Sequence, residues 1–183
     1  MQKKVSAYSR QRMILYQGDY IRFVKHRHWE FVERHNCTGI VIVAAMTKDK
    51  KVIFISQYRP PVGKKVIEFP AGLVNDLALK RKETLLMAAK RELLEEAGYR
   101  AKKMQTLFQG PISAGLTSDL VTLVLALDVQ KVAVGKGDAS EMIEAIYEVP
   151  LKNVDRWLQK MQQKGYLIEP KIYAGLYFLK QIP

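Results

Sequence analysis

The sequence predicts a mixed α/β sandwich with further strands at the N-terminus. Residues 39–45 and 120–129 are apolar runs with the length and composition of buried strands. A helical pattern covers residues 84–97, and two more helical stretches begin near Leu151 and cover residues 170–179. Strands before and after a central helix, followed by terminal helices, indicate a layered sandwich.

Composition narrows the class of protein and of ligand. A chain of 183 residues is expected to form one domain with a substantial core. Thirty Lys and Arg residues against eighteen Asp and Glu give a net charge of +12. Such a charge suits small polyanionic substrates as well as nucleic acid. Because the basic residues are spread along the chain without a long run, nucleic acid is the less favoured partner.

The single cysteine and the N-terminal sequence bear on location. Cys37 has no second cysteine to pair with, which fits a reducing compartment. Residues 1–6 lack the apolar core of a signal peptide, and the longest apolar runs are too short to span a bilayer. We therefore expect a cytoplasmic protein that does not associate with membranes.

Three carboxylates share one face of the predicted central helix. Glu92, Glu95 and Glu96 stand at positions i, i+3 and i+4. Clustered oxygen anions repel one another, but they suit hard divalent cations such as Mg2+ or Mn2+. Arg91 lies one turn before Glu95 and can orient that carboxylate. The pattern predicts a divalent-metal site.

The same helix is expected to have a buried face. Leu85, Leu86, Ala89 and Leu93 recur at helical spacing and form the predicted apolar stripe. Gly98 stands where a left-handed cap ends a helix.

The segment from Glu83 to Gly98 resembles the signature of the Nudix hydrolases. In that signature a glutamate is followed by seven residues and then by Arg-Glu-aliphatic-x-Glu-Glu-x-Gly, and this chain matches every specified position. Tyr99 replaces the aliphatic residue that closes the signature. The resemblance implies the Nudix α/β/α sandwich and hydrolysis of a pyrophosphate bond.

The chain departs from the signature before Glu83. The family glycine stands six positions earlier, where this chain has Leu77. Gly72 is the equivalent glycine, so the resemblance implies a five-residue insertion within residues 77–82. Loops accept such additions at small entropic cost.

Segments outside the signature identify a branch of the family. Residues 57–59, 68–73, 141–144 and 149–151 are similar to those of the ADP-ribose and nucleoside diphosphate sugar pyrophosphatases. The resemblance implies that the substrate is a nucleotide sugar, that the products are a nucleoside monophosphate and a sugar phosphate, and that the cofactor is Mg2+, with Mn2+ possible.

The resemblance also implies metal-binding and catalytic residues. The main-chain oxygen of Ala71 and the carboxylates of Glu92 and Glu96 would bind the metal, with Glu95 close by. Arg91 would take part as the residue that orients Glu95.

The general base in this branch is often a glutamate on a late loop. In this chain that loop is residues 136–141, and Glu141 is the first choice. Glu144 is the second choice, and a glutamate of the signature also stays open.

Substrate contacts are implied in three parts of the chain. Arg59 would hold the diphosphate, because a guanidinium fork matches phosphate oxygens. Glu68 and Gly72 would lie near the substrate. Tyr20 and Trp29 are similar to N-terminal aromatics that sandwich a nucleobase across a dimer, and packing on a sheet face is an equally open role for them.

The loop after the signature bears on specificity. Residues 113–116 stand where ADP-ribose enzymes carry a Ser-Pro-Gly loop, and Ala114 replaces the proline. The expected substrates therefore widen to nucleoside diphosphate sugars in general. Leu116 in this loop and Arg34, which could reach phosphate or ribose, are further candidates for substrate binding.

The resemblance implies a homodimer formed through the N-terminal strands. Residues 1–36 would serve dimerisation and base binding, and residues 37–183 would form the Nudix domain.

Two other functions stay open. One is a different Nudix reaction, on nucleoside triphosphates or RNA 5′ ends, which the basic charge favours. The other is a Nudix module that binds nucleotide without catalysis, for which the inserted loop is the motive. The intact carboxylates and Arg91 argue against loss of catalysis.

Overall fold

A computed structural model describes residues 12–75, 82–137 and 143–182. Within these ranges the chain forms twelve strands and three α-helices. The strands are β1 (Arg12–Gln17), β2 (Ile21–His26), β3 (Trp29–Arg34), β4 (Gly39–Thr47), β5 (Lys51–Arg59), β6 (Lys64–Glu68), β7 (Ala71–Val74), β8 (Tyr99–Arg100), β9 (Lys103–Pro111), β10 (Leu120–Lys131), β11 (Ile143–Pro150) and β12 (Leu167–Ile168). The helices are α1 (Leu85–Ala97), α2 (Val154–Gln163) and α3 (Lys171–Leu179).

Alternation along the central strand β4 builds the layers. Val41 and Val43 point to one face of the sheet and pack in a core with α1. Ile42 and Ala44 point to the other face and pack in a core with α2 and α3. The predicted α/β/α sandwich is confirmed. No helix in the described ranges is both long and apolar enough to cross a membrane.

The N-terminal strands form a small sheet of their own. β1, β2 and β3 pair antiparallel in that order, as the sequence predicts. The amide of Val32 donates to the carbonyl of Leu116 at 2.9 Å, and the amide of Ser118 donates to the carbonyl of Val32 at 3.1 Å. These bonds join the small sheet to the loop before β10.

The main sheet opens into a fork beside β4. The first half of β4, Gly39 to Ile42, pairs with β7, whereas β4 meets β5 only at Met46 and Val52. Beyond that point β5 pairs with β6 and β11 instead. Residues Phe69 and Pro70 cross the opening from β6 to β7. The fork therefore places Glu68, at the end of β6, close to the start of β7, and the side chain of Arg59 reaches back to Glu68.

Helix α1 begins and ends as its sequence predicts. The Thr84 hydroxyl accepts a hydrogen bond from the Met87 amide at 3.3 Å, and Gly98 has φ +76° in the C-terminal cap. The predicted buried face is wrong at Leu86, which is 36% exposed. Leu86 shares a face with the buried Leu93 seven residues later, because seven residues make nearly two whole turns, so its exposure comes from its place in the first turn of α1. The buried stripe also contains two carboxylates, Glu92 and Glu96.

Tyr99, which departs from the aliphatic pattern, is a core residue with a polar end. Its side chain is 1% exposed and packs in the core beside α1. Its hydroxyl donates to Glu148 Oε1 at 2.5 Å. This bond is the largest cause that lowers the pKa of Glu148, and Lys51 adds to it.

We expect Tyr99→Phe to lower the free energy of unfolding by about 1 kcal/mol at neutral pH, because a hydrogen bond to a charged group is lost. Since the folded-state pKa of Glu148 is lowered, the stabilisation is present above about pH 4.3 and is lost as the pH falls through the folded value. Urea unfolding at pH 7 and pH 3 measures the deficit, which should shrink at pH 3. Tyr177→Phe on an exposed face of α3 is the control. An equal deficit at both pH values would contradict this explanation.

Candidate active site

Arg91 organises the acidic face of α1. Its Nε donates to Glu83 at 2.9 Å, and Nη1 donates to Glu92 at 2.7 Å and to Glu95 at 3.1 Å. Its Nη2 donates to the carbonyl of Leu73 at 2.9 Å. Burial acts to lower the pKa of Arg91, but the three carboxylates outweigh it and raise the pKa. The predicted pair with Glu95 is present, and it is one of several bonds that fix the guanidinium.

Asn75 closes the loop that carries the predicted insertion. Its side-chain oxygen accepts from the Glu83 amide at 2.6 Å, and its Nδ2 donates to the Glu83 carbonyl at 3.1 Å. Residues 76–81 lie outside the described ranges, but both ends of the loop are therefore joined. Gly72 lies beside Glu92 of α1. The sequence pattern does not single out Asn75. Its φ is +59°, a left-handed conformation that Asn adopts more readily than most residues.

The start of β7 meets the carboxylates of α1. The amide of Ala71 donates to Glu96 Oε2 at 2.8 Å, and the Glu96 side chain is fully buried. A Cβ added at Gly72 would overlap the carboxylate of Glu92. Glycine at position 72 is therefore needed for Glu92 to lie against the strand.

These groups fit a hard divalent cation. Glu92, Glu95 and Glu96 are carboxylates, and Ala71 adds a main-chain carbonyl, which together make an all-oxygen donor set. Within the described ranges no three His, Cys, Asp or Glu side chains already converge to hold a metal. Arg91 binds Glu92 and Glu95, and the Ala71 amide binds Glu96. The ligand set stays a prediction.

Arg59 and Glu68 form a second charged group at the fork. Glu68 Oε2 accepts from Arg59 Nη2 at 2.7 Å and from Gln57 Nε2 at 2.9 Å. Burial acts to lower the pKa of Arg59, but Glu68, Glu169 and Glu96 raise it overall. Glu68 stands three residues before Ala71, whose amide is bonded to Glu96 of α1. A cation suited to phosphate is thus bonded to the same short segment as one of the candidate metal ligands.

The predicted aromatic pair lies on the N-terminal sheet. Tyr20 and Trp29 are 64% and 53% exposed. Tyr20 precedes β2, whereas Trp29 pairs with His26 at the far end of β2, so about 20 Å of strand separates them. Within one chain the two rings do not enclose a base. A sandwich of the predicted kind requires a second chain.

The other two candidates surround the loop packed on β3. Arg34 Nε lies 3.5 Å from Asp119 Oδ2. Leu116 is exposed, and its carbonyl accepts the bond from Val32 described above. Their roles in substrate binding stay predictions.

The described residues do not show which glutamate acts as the general base. Glu141, the first choice, lies outside them. Glu144 is described and forms an ion pair with Lys65 at 2.8 Å.

Comparisons with known proteins agree with the signature. A family profile described as the NUDIX domain matches residues 34–167. The "Methanol dehydrogenase activator" of Bacillus methanolicus is 33% identical over 144 residues, covering 78% of this chain and 73% of that protein. The "ADP-ribose pyrophosphatase" of Bacillus subtilis (strain 168) is 32% identical over 121 residues, covering 64% of this chain and 63% of that protein.

A solved structure shows the same fold. It is described as "Crystal structure of ADP compounds hydrolase" and superposes with a TM-score of 0.66 at 17% identity, covering 93% of this chain and 90% of that one. Fold, signature and relatives define a hydrolase that acts on pyrophosphate bonds. The chain belongs to the Nudix family.

Proposed function

We propose that this Nudix hydrolase cleaves the pyrophosphate bond of nucleoside diphosphate sugars, ADP-ribose included, to give a nucleoside monophosphate and a sugar phosphate. The observation that carries the proposal is the fork, where Glu68 is bonded to Arg59 and, three residues later, the amide of Ala71 is bonded to the buried Glu96 of α1. The name of the Bacillus subtilis relative supports the substrate class.

A divalent cation completes the proposed site. Glu92, Glu95, Glu96 and the carbonyl of Ala71 would hold Mg2+, with Mn2+ as the alternative. When bound, such a cation neutralises phosphate oxygens and lowers the pKa of a coordinated water. The Nudix family generally uses divalent metals, and the oxygen donors of this chain suit either ion.

The chain's own residues bind and orient the substrate. Arg59 binds the diphosphate, and its bonds to Glu68 fix the direction of the guanidinium. Arg91 holds Glu92 and Glu95 in place before binding. Glu141 takes the proton of the attacking water, which is the role of a general base.

We also propose that the active form is a cytoplasmic homodimer. Residues 1–36 would form the dimer and base-binding region, and residues 37–183 the catalytic domain. Large apolar side chains are exposed on the N-terminal sheet, as expected of an interface. The members of this surface are Met13, Ile14, Leu15, Tyr16, Ile21 and Phe23. Arg34 and Leu116 border this region and are proposed substrate contacts.

A product-resolved panel tests the proposal. Purified protein is incubated with ADP-ribose, other nucleotide sugars, nucleoside triphosphates and 5′-triphosphate RNA, with Mg2+ and with Mn2+. We expect nucleoside monophosphate and sugar phosphate from the diphosphate sugars. Turnover only of triphosphates or RNA would mean a different Nudix reaction. Nucleotide binding without turnover under either metal would mean a non-catalytic module.

A further inference from the structure

Glu169 is a buried carboxylate that the proposed reaction does not yet use. It follows β12, which pairs parallel with β6 through Ile168 and Ile67, so Glu169 lies alongside Glu68. The amide of Glu169 donates to the carbonyl of Ile67 at 3.1 Å and fixes this register. The residue stands beyond residues 34–167, which the family profile matches.

Glu169 is surrounded by the charged side chains of Lys171, Glu68 and Arg59. Its side chain is 16% exposed, and its Oε1 pairs with Lys171 at the start of α3. Its Oε2 is buried and has no hydrogen-bond partner among the described residues. The carboxylate attracts Arg59 and repels Glu68. Burial is the main cause that raises the pKa of Glu169.

This arrangement is unfavourable for the fold taken alone. Two carboxylates, Glu68 and Glu169, are held close together in a largely buried place, where each raises the cost of the other's charge. Arg59 is the cation that both of them attract. Arg59 already donates hydrogen bonds from its Nε and Nη2 to Glu68. A second carboxylate limits the directions in which the guanidinium can swing when a phosphate competes for its N–H groups.

We propose that Glu169 is a positioning residue for Arg59: together with Glu68 it holds the guanidinium in the orientation that binds the diphosphate of the substrate. The inference rests on the proposed function for the identity of the substrate. Lys171 pairs with Glu169 and opposes the effect of burial on its carboxylate.

Glu169→Gln separates this role from a structural one, because it keeps the shape of the side chain. We expect KM for ADP-ribose to rise about tenfold with kcat within about twofold, the pattern of lost ground-state binding. Stability should be unchanged or higher, since one of two neighbouring like charges is removed. In an Arg59→Ala background the same substitution should have no further effect on KM, which is the signature of coupling. Asp155→Asn, in an exposed pair with Lys180, is the matched control.

Calorimetry with inorganic pyrophosphate in the presence of Mg2+ gives a reading that needs no turnover. Weaker pyrophosphate binding by Glu169→Gln than by the wild type supports the inference. If the wild type also hydrolyses no diphosphate sugar, only the proposed function is contradicted. Unchanged KM and unchanged pyrophosphate binding in an active enzyme overturn the inference alone. An equal rise in KM with and without Arg59 also overturns it. If the wild type neither binds pyrophosphate nor turns over a diphosphate sugar, both proposals fail.

Discussion

Glu96→Gln is expected to lower kcat/KM for ADP-ribose by at least about a thousandfold, the effect of losing several kcal/mol of charge stabilisation at a metal site. The carboxylate is fully buried and lies at the centre of the proposed donor set. An amide has the same size but no charge, and it binds a hard cation poorly.

The fold should survive this substitution. The Ala71 amide can still donate to the oxygen of the substituted side-chain amide, so the bond at 2.8 Å has a replacement acceptor. Thermal unfolding and circular dichroism check this point, and Asp155→Asn, in the exposed pair with Lys180, is the control for activity. Turnover by Glu96→Gln near the wild-type rate would remove the metal assignment.

Gly72→Ala is expected to lower kcat/KM by about a hundredfold or more, because a displacement near 1 Å of a catalytic group is worth that much. The added Cβ would overlap the carboxylate of Glu92 and push it away from the strand. The φ of Gly72 is not positive, so the effect is steric and does not arise from backbone strain.

Gly39→Ala is the control for this substitution. Gly39 lies in the ladder between β4 and β7, and a Cβ there would make only ordinary contacts, at 3.7 Å with Leu85 and 3.8 Å with Val74. We expect nearly full activity from it. Steady-state kinetics and Mg2+ titration of both variants make the comparison. Full activity in Gly72→Ala would mean that the position of Glu92 is not needed for catalysis.

The fold and the acidic helix were predictable because their signals are local. Apolar runs determine which strands are buried, and helical spacing puts Glu92, Glu95 and Glu96 on one face. Leu86 shows the limit of that reasoning. Its helical spacing suggests burial, but it lies in the first turn of α1 and is exposed. Glu92 and Glu96 are buried instead, because Arg91 and a main-chain amide compensate their charges.

Contacts between residues far apart in the chain could not be predicted from the local sequence. The bonds of Arg91 include one to the carbonyl of Leu73, which lies 18 positions earlier in the chain. Glu169 lies alongside Glu68, the partner of Arg59, only because β12 pairs with β6. Nothing in the local sequence around Asn75 or Glu169 marks such partners, since register between distant strands is set by the whole sheet.

The most direct test of the account is phosphorus NMR of ADP-ribose incubated with the wild-type protein, with Mg2+ and with excess EDTA. We predict that the diphosphate resonances are replaced by those of AMP and ribose 5-phosphate in equal amounts when Mg2+ is present, and that they persist in EDTA. Cleavage that proceeds unchanged in EDTA would contradict the role assigned to the carboxylates of α1. Persistence of ADP-ribose and other diphosphate sugars with both Mg2+ and Mn2+ would contradict the proposed function.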